Sequence, residues 1–109
     1  LPPAAFRGTR TSVQDSFIAP GCVLTDAIIS RSVLSPEVEV GPGAQVEEAI
    51  LWHGVKLGAG AKVRRAVIEE GVTVPPGFHI GYDPAADALR FPVTEGGIVV
   101  VPSNVRLEE

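Results

Sequence analysis

Two histidines, one cysteine and one short run of cations are the residues of this sequence whose types could do chemistry. His53 and His79 are the only histidines, and neither has an Asp or Glu beside it at an orienting spacing. A general base needs such a partner to fix its tautomer and aim, so both read as solvent-exposed side chains. A metal centre needs several ligands in one place, and two scattered histidines with Cys22 do not supply it. Cys22 itself fits a small buried hydrophobe better than a reactive thiol. Lys62, Arg64 and Arg65, with Lys56 shortly before them, are the densest basic cluster. They read either as a solvated face or as an anion site for a sugar phosphate, which guanidinium groups grip in bidentate fashion. Trp52 is the single tryptophan, and its place in the pattern developed below turns it outward, which suggests either a contact or partial burial.

The chain that must position these groups has 109 residues and a mass of 11.4 kDa, enough for one domain. Acidic residues (13) outnumber basic ones (9), and the net charge of −4 argues against a nucleic-acid binder. Gly (12) and Pro (10) are too frequent for a helical bundle. A single cysteine excludes an intrachain disulfide framework. No apolar run is long enough for a membrane-spanning helix and no signal peptide opens the chain, so no membrane partner and a cytoplasmic location are expected. The start at Leu1 rather than Met reads as a piece of something longer.

Self-similarity organises the middle of the chain. VLSPEVEVGPG from Val33, ILWHGVKLGAG from Ile50 and VIEEGVTVPPG from Val67 superpose at an offset of 17 residues. Leu34, Leu51 and Ile68 coincide, as do Val38, Val55 and Val72, then Val40, Leu57 and Val74, then Gly43, Gly60 and Gly77. An earlier copy, FIAPGCVL from Phe17, fits at an offset of 16. Within each unit, apolar residues alternate with polar ones over three short stretches separated by Gly-rich corners. Three short strands per turn at a near-fixed period predict an all-β domain, a parallel β-helix of triangular section with about four coils. The boundaries expected are 1–15 for a linker and lead-in, 16–81 for the β-helix and 82–109 for a tail. In the tail, 83–89 reads as a short helix capped by Asp83 with Pro84 at its first position, and 98–101 as a buried strand.

Strand parity has a consequence for the surface. If Ser32, Ala49 and Ala66 point inward with Leu34, Leu51 and Ile68, then Val33, Ile50 and Val67 face out, with Phe17 one coil earlier. A row of stacked apolar residues predicts an interface. The alternative is that the tail, through Phe91 and 98–101, folds back and covers it.

The near-hexameric spacing of the aliphatic residues resembles the hexapeptide-repeat proteins, which coil left-handed. A left-handed coil is expected on that resemblance, although crossover rules alone favour the right hand. A closer resemblance is carried by LPPAAF at the start, by the shortened repeats, by VPPG and then Ile80-Gly81 at the exit, and above all by DPAADALRF from Asp83 followed by GIVVV from Gly97. Over nearly its whole length the chain is similar to the C-terminal domain of the bacterial glucose-1-phosphate adenylyltransferases. These enzymes make ADP-glucose from glucose 1-phosphate and ATP with Mg²⁺ for glycogen synthesis. The resemblance implies a homotetramer whose N-terminal catalytic domain binds the nucleotide and needs a Gly-rich phosphate loop that opens a helix. Residues 41–43 and 58–60 lie inside a repeat and open none, so this piece is expected to be non-catalytic and free of cofactor.

Its implied roles are assembly, through Phe17, Val33, Ile50, Val67 and Trp52, and help in binding an anionic effector through Lys62, Arg64, Arg65 and Arg90. Enteric members carry effector-related arginines in the last coil and just past the final strand. Those positions here are Glu70 and Ser103, which implies effector control unlike the fructose 1,6-bisphosphate type. The alternative is a fragment of a hexapeptide acyltransferase using one histidine as general base; the tail after Gly81 speaks for the first reading.

Overall fold

Short alternating stretches broken by left-handed corners leave the chain no room for long strands, and the result is a prism. The computed structural model describes residues 1–108. One face stacks β1 (Ala5–Arg7), β4 (Val23–Thr25), β7 (Glu39–Val40), β9 (Lys56–Leu57) and β11 (Thr73–Val74), all parallel. The second stacks β2 (Ser12–Gln14), β5 (Ile28–Ser30), the first half of β8 (Gln45–Leu51), the first half of β10 (Lys62–Ile68) and β12 (His79–Ile80). The third stacks β3 (Phe17–Ile18), β6 (Val33–Leu34), the second halves of β8 and β10, and β13 (Val99–Val101). This is the left-handed parallel β-helix expected, with about four turns.

The interior is a set of side-chain columns. Leu34, Leu51, Ile68 and Val101 form one; Leu24, Val40, Leu57 and Val74 a second; Ile29, Val46, Val63 and Ile80 a third, and all are buried. Cys22 is buried in the column of Val38, Val55 and Val72; burial pushes its thiol above the ordinary value, and Sγ donates to the Ser35 carbonyl at 3.2 Å. At the Ser32 position the hydroxyl donates to Ser30 O and accepts the Ala49 N–H, so the buried polar group is satisfied.

The corners explain why the repeat tolerates charge. Asp15, Arg31, Glu48 and Arg65 occupy equivalent corners with φ between 46° and 50°. Such angles are uncommon for residues with a Cβ, and the signs alternate from coil to coil. Arg31 pairs with Glu47 and, at 3.5 Å, with Glu48. Exposed pairs of this kind contribute at most about 1 kcal/mol each, so they favour the register more than they add to stability.

The ladder starts ahead of residue 16. β1 and β2 pair with β4 and β5 in full register, Phe6 opposite Leu24 and Val13 opposite Ile29. The repeat is hard to see there because the inward residues of an end coil have no coil beneath them; Phe6 is 56% exposed. In the tail, α1 spans Pro84–Arg90, with Asp83 Oδ1 accepting the Ala86 N–H at 3.2 Å. β13 continues the third face edge to edge with β10 and does not fold over the exposed row. No described helix is long and apolar enough to cross a membrane.

Candidate functional site

The third face carries the apolar row. Phe17 pairs with Val33, Val33 with Ile50, Ile50 with Val67, and Val67 with Val100. Phe17 is 61% exposed, Val33 42% and Ile50 37%, while Val67 and Val100 are half-buried. Trp52, 49% exposed, stands at the corner just beyond Leu51. The row is therefore continuous from the first coil to the tail strand, and the sequence located four of its five members. Val100 was missed because nothing local says that a strand after a helix rejoins the same ladder.

The four cations assigned to an anion site do not converge. Arg64 lies 4.3 Å over the Tyr82 ring and donates through Nε to Gly81 O at 3.0 Å. Arg65 donates through Nη2 to Gly96 O at 2.5 Å. These two line a cleft of about 360 Å³ between the second face and the tail, together with Glu47, Glu48, Tyr82 and Asp87. Arg90 sits in the last turn of α1 over the Phe78 ring at 5.1 Å, and lines a different cleft of about 520 Å³. Lys62 lines neither cleft; it pairs in register with Gln45 and His79 on the open second face. Tyr82 is the functional-looking residue that spacing did not single out. Burial pushes its phenol up, with Arg64 pulling the other way, so it stays a neutral donor beside the guanidinium. Two cations backed by an aromatic ring can hold an anion, but the Glu47 and Glu48 carboxylates in the same cleft oppose it.

His53 does have carboxylate partners, contrary to the sequence reading. Glu37 Oε1 lies 2.9 Å from Nε2 and Glu70 Oε1 3.5 Å from Nδ1. They come from the coils before and after, so a search along the chain misses them; the period of the repeat is the signal that finds them. The hydrogen bond that the ring donates to the Glu37 carboxylate is the main cause holding the His53 pKa above its ordinary value. The His79 and Tyr82 rings pack with centroids 5.6 Å apart, tilted by 50°. Among the described residues, no group of three or more His, Cys, Asp or Glu is placed to hold a metal ion.

A family profile described as GlmU-like, C-terminal hexapeptide matches residues 2–101. The chain belongs to this family. Proteins similar to this chain include the glucose-1-phosphate adenylyltransferase of Acidothermus cellulolyticus, 56% identical over 108 residues. That alignment covers 99% of this chain and 26% of the relative. The enzyme of the same name from Anaeromyxobacter sp. is 39% identical over 94 residues, 86% of this chain and 23% of the relative. The one from Paramagnetospirillum magneticum is 39% identical over 107 residues, 94% of this chain and 25% of the relative. The chain thus spans about a quarter of the length of these curated relatives.

Proposed function

We propose that this chain is the C-terminal assembly and effector-responsive part of a glucose-1-phosphate adenylyltransferase, a cytoplasmic homotetramer. In this reading it performs no chemistry of its own. An N-terminal domain binds ATP with Mg²⁺ and transfers the adenylyl group to glucose 1-phosphate, with pyrophosphate as the leaving group.

The observation that carries the assembly role is the uncovered apolar row. A protein in water seldom leaves three large aliphatic or aromatic side chains stacked in the open, continued by two half-buried valines, so a surface of the catalytic domain or of a second subunit covers them. Cysteine protection tests this. Ile50→Cys in the 109-residue chain reacts readily with a maleimide, and Cys22, fully buried, adds no background. In the intact enzyme the same cysteine is expected to react at least about tenfold more slowly, as a desolvated interface centre would. Equal rates in the two proteins would remove the interface role.

The effector role rests on Arg64 and Arg65, the two cations that share a cleft. Arg64→Gln with Arg65→Gln in the intact enzyme is expected to raise the half-maximal effector concentration by about tenfold or more, the loss of at least one charge-assisted hydrogen bond. Arg90→Gln and Lys62→Gln should shift it less, because each stands apart. Activation curves that superpose on wild type would remove these arginines from the effector site.

A further inference from the structure

The geometry points to a proton-operated clamp, Glu37–His53–Glu70, that ties three successive coils together at the corner between the third and first faces. Glu37 follows β6, His53 follows β8 and Glu70 follows β10, so one imidazole bridges the coil before it and the coil after it. The backbone joins the same three levels: Gly54 N–H donates to Pro36 O at 3.1 Å, and Gly71 N–H donates to His53 O at 2.9 Å.

The clamp follows from the chemistry of the ring. A neutral imidazole has one N–H, so it donates to one carboxylate and presents a lone pair to the other. Only the imidazolium donates at both Nε2 and Nδ1. Protonation thus turns a one-sided contact into a two-sided one, with charge-assisted hydrogen bonds toward both neighbouring coils. The two ring nitrogens point to opposite sides, so the carboxylates do not converge as metal ligands would. Glu37 faces the ring from the preceding coil and Glu70 from the following one. Glu69 is turned to the Ser103 N–H at 3.1 Å, and Trp52 and Gly54, on either side of His53, carry no charge.

The direction with pH is fixed by sign. The folded-state pKa of His53 is raised, first by the Glu37 hydrogen bond. The contribution of the clamp is therefore fully present below the unfolded value of about 6.5 and is lost as pH rises through the folded value.

Histidine side-chain NMR on the 109-residue chain, combined with amide exchange at Gly54 and Gly71, tests the clamp. The His53 midpoint is expected above about 6.5. Glu37→Gln should lower it more than Glu70→Gln, following the two distances. After correction for intrinsic exchange, the Gly71 amide should be protected about two- to fivefold better on the acid side of the midpoint, the range that exposed ion pairs give. His53→Gln should abolish that difference. A midpoint unmoved by both glutamine substitutions would overturn the clamp. So would a midpoint that moves while protection stays flat, because the contact would then be a local ion pair that ties no coils together.

Discussion

Leu51→Ala is expected to lower the unfolding free energy of the 109-residue chain by about 2–5 kcal/mol. Ile50→Ala, one residue earlier on the same strand, should change it by about 0.5 kcal/mol. The contrast comes from parity alone. Leu51 is fully buried between Leu34 and Ile68, and no neighbour can move to fill the space its truncation leaves. In a coil stack each turn touches only the next, so a void at the middle level also weakens the interface between two coils. The Ile50 side chain leaves the same strand on the opposite face and is partly in water already. Urea unfolding followed by circular dichroism measures both. Equal losses at the two sites would mean a different register, because a one-residue slip exchanges the two faces.

The columns were legible in the sequence because each inward position is sampled once per coil, and chance does not align Leu34, Leu51 and Ile68 at a constant offset. The exposed row was legible for the same reason, since parity at one column fixes its neighbours. Legibility ended where the period was interrupted. Phe6 to Leu24 spans 18 residues and Leu24 to Val40 spans 16, so the first coil did not register with the others. β13 joined the third face only after a helix and a turn, and no local pattern names a partner strand across such a gap.

The candidate site was read less well than the fold. Lys62, Arg64 and Arg65 look like one cluster in the sequence, yet Lys62 and Arg64 share the outer side of one strand while Arg65 is itself the corner, at φ 46°, where that strand turns onto the third face. The guanidinium groups of Arg64 and Arg65 also find different carbonyls, at Gly81 where the β-helix ends and at Gly96 in the tail. The carboxylates of His53 were missed by a search along the chain and lie one coil away on each side. In a β-helix the side chains that meet are those one period apart, and chemistry in this fold has to be sought at that spacing.

The largest effect on assembly is expected from charging the apolar row. Ile50→Glu with Val67→Glu places two carboxylates side by side on adjacent strands, Ile50 being directly opposite Val67. In the isolated chain both carboxylates reach water, the cores behind them are untouched, and the fold should persist with a small loss from like-charge crowding. Against a partner surface the same carboxylates would be desolvated without counter-charges, which apolar contacts cannot offset. The association constant is expected to fall by about 100-fold or more, the scale of truncating or charging an interface centre.

Sedimentation velocity of the intact enzyme carrying this pair of substitutions, run beside the 109-residue chain with the same changes, tests the assembly role most directly. The expected result is a homotetramer that dissociates, or whose catalytic and C-terminal parts loosen into a more extended particle, while the short chain keeps its native circular dichroism. An intact enzyme that sediments as wild type, with the short chain still folded, would contradict it.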